Sequence, residues 1–167
     1  MRALVAIGLM AVGLAAQGVS AEEGKAPVET IVFVCEHGSA KSLIASQWFN
    51  KLAAERGVSV RSVSRGMTPD PAVPEAIARN LAEDGLAPAG FVPKALSKAD
   101  LATATQIVTI GVDATSLTKG VSVPVETWND IPPASENYAG SRDAMKARIE
   151  QLLTKAAQKS TASKPRR

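Results

Sequence analysis

The chain has 167 residues, 46% of them hydrophobic, a formal net charge of +3 and a single cysteine. This is enough for one domain with a substantial core of its own, and it excludes a disulfide framework. One Cys and one His cannot complete a four-ligand zinc site, so no metal or other cofactor is expected.

The first 21 residues have the pattern of a secretory signal. Met1-Arg2 is basic, Ala3 to Ala16 is apolar, and Val19-Ser20-Ala21 offers small residues for cleavage before Glu22-Glu23. The apolar stretch is shorter than the roughly 20 residues of a membrane span, so no stable membrane insertion is expected. No cysteine follows it to carry a lipid. The mature chain is therefore expected to be exported, periplasmic or secreted, with residues 22–29 as a linker. Residues 22–150 hold 13 basic and 16 acidic residues, while Lys155, Lys159, Lys164, Arg166 and Arg167 follow Glu150 with no acid. The body is mildly acidic. Residues 154–167 form a basic tail, expected to lose order past about Gln158 and to be a solvated terminus rather than a nucleic-acid arm.

Strand and helix signals then alternate. Thr30–Cys35 is an apolar run of strand length. Ala40–Arg56 is helical, with Ile44, Trp48 and Leu52 at four-residue spacing, Ala45 and Phe49 beside them, and Gly57 as a stop. Val58, Val60 and Val63 suggest a second strand, and Thr68-Pro69-Asp70-Pro71 a loop. Pro74–Asp84 is a helix with Ile77 and Leu81 on one face. Gln106–Ile110 is a third strand. Val121–Val125 is a fourth, interrupted by Pro124 and so placed at an edge. The last helix runs from Asn137 to about Ala157, its stripe formed by Met145, Ile149, Leu152, Leu153 and Ala156. This alternation implies an α/β domain, a parallel sheet with helices on both faces. Such sheets bind ligands at the carboxyl ends of strands, where strand order reverses.

Cys35 stands at such a place. It ends the first strand and is followed by Glu36-His37-Gly38-Ser39-Ala40-Lys41-Ser42 at the start of a helix. Free amides and the positive end of the helix dipole converge on a turn of this kind. It holds a tetrahedral oxyanion, and it favours the thiolate form of a cysteine there. Taken singly, these residues have plainer readings. A lone strand-end Cys is often a small buried hydrophobe, a Lys at a helix start a solvated charge, and an Asp in a loop a turn residue. His37 reads as a loop side chain facing water rather than a base.

Taken together, the segments resemble a low-molecular-weight protein tyrosine phosphatase, the fold shared with the thioredoxin-coupled arsenate reductases. The family signature is an apolar strand, Cys, five residues, Arg and Ser; Ile31 to Cys35 and Lys41-Ser42 stand at those places. Ser64-Arg65-Gly66-Met67 resembles its Ser-Ala-Gly-Thr segment. Pro74 to Ile77, Glu83 to Leu86, Lys94 to Leu101, Ile107 to Ile110, and Trp128 to Pro133 with Arg142-Asp143 match in order, covering roughly residues 30–153. The resemblance implies a three-layer fold with a four-stranded parallel sheet in the order 2-1-3-4. It also implies Cys35 as nucleophile, amides from Glu36, His37, Gly38, Ser39, Ala40 and Lys41 around an oxyanion, and Ser42 donating to the thiolate. The partner implied is phosphate, a similar oxyanion or a phosphorylated substrate.

Several positions depart from the family pattern. Lys41 replaces the signature Arg, Gly38 the loop Asn, and Ala40 a second cysteine. The Asp-Pro of the general acid aligns with Pro132-Pro133, leaving Asp130 as the only carboxylate between Trp128 and Ala134 and hence the candidate acid, with Glu136 just outside. Ala134-Ser135 stand where an aromatic pair often follows. Three readings follow: a phosphomonoesterase, an arsenate reductase that needs an external thiol, and an oxyanion-binding protein with little turnover.

Overall fold

The computed structural model describes residues 28–113 and 115–162. The expected signal segment, most of the linker before β1 and the last five residues lie outside the described residues. Strands β1 (Glu29–Cys35), β2 (Val60–Gly66), β3 (Gln106–Ile110) and β4 (Val125–Trp128) form one parallel sheet in the order β2-β1-β3-β4. This is the order expected. The chain leaves β1 for one side of the sheet and later returns on the other, so strand order reverses between β1 and β3. Cys35 is the last residue of β1, level with Gly66 of β2.

Alternating side chains divide β1 between two cores. Ile31, Phe33 and Cys35 face one side, with α1 (Lys41–Glu55), α2 (Glu75–Glu83) and α5 (Tyr138–Ala162). Val32 and Val34 face the other, where Leu101 of α3 (Lys98–Thr103) and Leu96, Val112, Val121 and Val123 cover them. A strand apolar on both faces is what a central parallel strand requires. On the first side, the Phe33 ring meets Phe49 edge-on at 5.9 Å and Trp128 at 5.6 Å. Phe33 and Phe49 are fully buried, each contributing about 1.5–3 kcal/mol over exposure. The α5 stripe of Met145, Ile149, Leu152, Leu153 and Ala156 is buried as expected.

Four elements differ from expectation. The fourth strand begins at Val125, not Val121. Pro124 has no amide to offer a ladder; its carbonyl accepts from Ile107, and pairing proper starts at the next residue. Two short helices, α3 and α4 (Thr115–Thr118), stand where no helix was expected. The first is nucleated by a capping box in which Ser97 and Asp100 exchange bonds. Finally, α5 continues to Ala162 instead of ending near Ala157, with Lys159 in its last turn, where a cation is favoured by the helix dipole.

Beside the strand ends, α1 meets β2 along a polar seam. Ser42, Ser46 and Asn50 recur every four residues on α1. Ser62 donates to the Ser46 carbonyl at 3.2 Å, and its amide donates to Asn50 Oδ1 at 2.7 Å. Asn50 Nδ2 returns a bond to the Ser62 carbonyl. At the upper end Ser42 meets Ser64. This seam fixes where the α1 N-terminus sits relative to β2, and therefore where the Cys35 loop is held.

Candidate active site

The loop from Glu36 to Ala40 joins β1 to α1. Its carbonyls are mostly engaged from outside: Met67, Thr68 and Asp70 amides donate to Cys35, Glu36 and His37 oxygens at 2.8–3.1 Å, and the Ser64 hydroxyl donates to that of Gly38 at 3.0 Å. The Ala40 carbonyl accepts the Ile44 amide. No amide from Glu36 to Ala40 donates to a backbone carbonyl among the described residues. With most of its carbonyls bound and its amides free of backbone partners, the loop is a nest for an anion, set on the N-terminus of α1, which has no side-chain cap.

Cys35 is buried beneath this loop. Its Sγ lies 3.0 Å from Ser42 Oγ and 3.5 Å from the Ser42 amide. Ser42 Oγ is 2.8 Å from Ser64 Oγ, which donates to the Gly38 carbonyl. The chain of bonds has one polarity that satisfies every member for a thiol: Cys35 S–H to Ser42, Ser42 O–H to Ser64, Ser64 O–H to Gly38. For a thiolate, the Ser42 hydroxyl turns toward sulfur and donates to it. A hydroxyl rotor is suited to both states.

Two glycines allow the loop to close. Gly38 has φ +67°, and a Cβ there would lie 2.8 Å from the Gly66 amide nitrogen. A Cβ on Gly66 would lie 2.8 Å from the Gly38 nitrogen and the His37 carbonyl carbon. The two backbones touch, so neither residue has room for a side chain. Just beyond Gly66, Asp70 braces the loop from outside. It accepts the Ser39 hydroxyl at 2.5 Å and faces His37 Nδ1 at 3.5 Å. On the other flank, Arg65 forks onto Asp100 at 2.7 and 2.9 Å. Burial opposes ionisation of Asp100, but the Arg65 and Ser97 hydrogen bonds outweigh it and hold the carboxyl below its ordinary range.

The structure brings Cys35, Glu36, His37, Gly38, Ser39, Ala40 and Ser42 together as the loop, with Glu36 and His37 exposed. Lys41 is different. Its ammonium lies against Gly111, where an added Cβ would stand 2.5 Å from Nζ. Gly111 lines a polar groove of about 380 Å³ with Thr109, Asp113, Thr115, Thr127 and Asn129, at the ends of β3 and β4. Asp130 is committed elsewhere as well. Arg148 of α5 donates to both its oxygens, at 2.5 and 2.7 Å. This hydrogen-bonded guanidinium keeps the Asp130 carboxyl below its ordinary range, the opposite of what a proton donor needs. Ala134, in place of an aromatic, is buried in the core. Sequence reasoning missed Asp70 and Gly111. Asp70 was visible as a lone carboxylate in the loop after the second strand, on the edge of the sheet where ligands bind.

A four-stranded parallel sheet of this order, carrying a buried cysteine under an anion nest at its switch point, defines a class of cysteine-dependent phosphate-handling proteins. Residues 30–127 match the model of the low molecular weight phosphotyrosine protein phosphatase family, and the chain belongs to that family. Among solved structures, YfkJ from Bacillus subtilis is 21% identical with a TM-score of 0.69, over 81% of this chain and 99% of its own. The YwlE arginine phosphatase from Geobacillus stearothermophilus is 17% identical with a TM-score of 0.70, over 83% and 99%. An arsenate reductase from Archaeoglobus fulgidus is 27% identical with a TM-score of 0.60, over 74% and 98%. No curated protein sequence matches the chain.

Proposed function

We propose that the chain is an exported hydrolase of phosphate monoesters that works through a phosphocysteine at Cys35. The observation that carries this is the thiol with its hydroxyl partner, Cys35 Sγ to Ser42 Oγ at 3.0 Å, beneath five loop amides that donate to no backbone carbonyl among the described residues. The Cys35 thiolate attacks phosphorus in line, the S–P bond forms, and the ester P–O bond breaks. The loop amides take up the charge on the three equatorial oxygens. A general acid gives a proton to the leaving oxygen, then acts as base toward the water that cleaves S–P. Ser42 donates to sulfur when it leaves as thiolate.

Lys41 supplies a point charge in place of a two-pronged guanidinium. The loss of one charge-assisted bond, about 1.5–3 kcal/mol, weakens the hold on the transition state by roughly 10- to 150-fold. Its ammonium at Gly111 also favours a second reading, an oxyanion-binding protein with little turnover. The arsenate-reductase likeness fits this chain only with an external thiol, since Cys35 has no second cysteine to resolve its adduct. Aryl phosphate hydrolysis by the wild type and Cys35→Ser separates these. Cys35-dependent release of phosphate supports the hydrolase; oxyanion binding without release supports the second reading. N-terminal sequencing of protein purified from a native-like host tests export, the expected mature chain beginning at Glu22.

A further inference from the structure

The hydrolase reading needs a proton donor, and the geometry around the loop points to one that the sequence reading set aside as a loop side chain facing water. We propose, resting on that reading, that His37 is the general acid and base of the reaction and that Asp70 is its positioning residue. His37 is the second residue after Cys35, on the loop that surrounds the oxyanion site. Its Nδ1 faces the Thr68 carbonyl at 3.3 Å and Asp70 Oδ1 at 3.5 Å. A carbonyl and a carboxylate can only accept, so Nδ1 carries the hydrogen. The other nitrogen, Nε2, is then the one that gains and loses a proton. The side chain is 57% exposed, and Nε2 makes no hydrogen bond among the described residues.

Asp70 is itself held. Its Oδ2 accepts the Ser39 hydroxyl at 2.5 Å, and its amide donates to the His37 carbonyl at 3.1 Å. One carboxylate thus fixes the ring and the loop together, the arrangement by which an acid orients a catalytic imidazole. Asp70 is the charged group in contact with the ring. Glu36 is its chain neighbour, and the Lys41 ammonium is at Gly111. The acid expected from sequence, Asp130, is bound by Arg148 through both oxygens.

The steps balance. As Cys35 forms S–P and the ester P–O bond breaks, the imidazolium Nε2–H passes its proton to the leaving oxygen. Neutral Nε2 then takes a proton from water as the water oxygen bonds to phosphorus and S–P breaks. Thiolate and imidazolium are restored.

The test compares wild type, His37→Gln, His37→Ala and Asp70→Asn on phenyl phosphate and on p-nitrophenyl phosphate, with pH profiles and acid-trapped phosphocysteine. General acid catalysis contributes about 10²–10⁴-fold. His37→Gln should therefore lose about 100-fold or more on phenyl phosphate and much less on the activated ester, and lose the alkaline limb of kcat/KM. Asp70→Asn should show the same selective loss on phenyl phosphate, in smaller measure, because the ring keeps its nitrogen but loses the carboxylate that orients it. Phosphate should still protect Cys35 from alkylation in His37→Gln, showing an intact loop. A wild type that turns over while His37→Gln and His37→Ala keep its pH profile and its ratio between the two esters overturns the assignment alone. A wild type that traps no phosphocysteine overturns the hydrolase reading and this assignment with it.

Discussion

Gly66→Ala gives a direct test of how the loop is held. Gly66 lies outside the oxyanion loop and has ordinary backbone angles, so an alanine there adds no conformational strain. It adds one methyl. That methyl would lie 2.8 Å from the Gly38 nitrogen and the His37 carbonyl carbon, and 3.1 Å from the His37 oxygen. All three are backbone atoms, so no side chain can swing away. Ordinary contact begins at 3.4 Å, so the loop must retreat by about 0.6 Å. Overpacking of this kind costs about 1–3 kcal/mol, a fall in melting temperature on the order of 3–12 °C for a domain of this size. A displacement of 1 Å at a reacting group costs about 100-fold, so the retreat should cost roughly tenfold in turnover. The assay is aryl phosphate hydrolysis with thermal unfolding and phosphate protection of Cys35 against alkylation. Turnover and protection equal to wild type, at unchanged melting temperature, would refute the claim that the two glycine backbones set the loop position.

Lys41→Arg should lower turnover, because the loop and Gly111 are built around a slim ammonium; a tenfold or greater gain in hydrolysis would show instead that the missing guanidinium is the whole defect. Asp130→Asn should leave hydrolysis of good and poor leaving groups equally unchanged, since the carboxylate serves the ion pair with Arg148; selective loss on the poor leaving group would return the acid's role to it. Tyr138 is raised well above its ordinary value by burial and by donation to Asp84 at 2.7 Å. A raised value favours the protonated fold, so its contribution is complete below about pH 10 and is lost as pH rises beyond it. Denaturant melts of wild type and Tyr138→Phe from pH 8 to 11 should show the wild type losing stability more steeply, and parallel curves would refute the coupling.

How much of this was readable beforehand varies from place to place. The third strand was legible to the residue because Gln106–Ile110 is a short apolar run between polar boundaries. The fourth was displaced by four residues because valines at 121, 123 and 125 have strand character, although the first two serve the core as loop side chains. Cys35, Ser42 and the loop between them were legible because their relation is local, a strand end followed by a helix start. The roles of Asp70, Gly66 and Gly111 were not, because each acts on a residue about 30 or more positions away through a contact that only the sheet register creates. The same holds for Asp130. Its place in the chain suggested an acid, but Arg148, 18 residues later on α5, decides what it does.

The serine seam between α1 and β2 also has a mechanical consequence. Bonds at Ser42, Ser46 and Asn50 repeat every four residues, one helical turn. Polar teeth of similar size and even pitch resist small slips strongly but could re-engage after a whole turn. What forbids that jump is the large, irregular cargo on the same helix. Trp48 and Phe49 fit one place only, against Lys146 and Phe33. The helix is therefore keyed twice, finely by hydroxyls and coarsely by rings. A substitution that trims Phe49 should then act as a register error as much as a packing loss, carrying Ser42 away from the sulfur some 10 Å down the helix from the ring it removed.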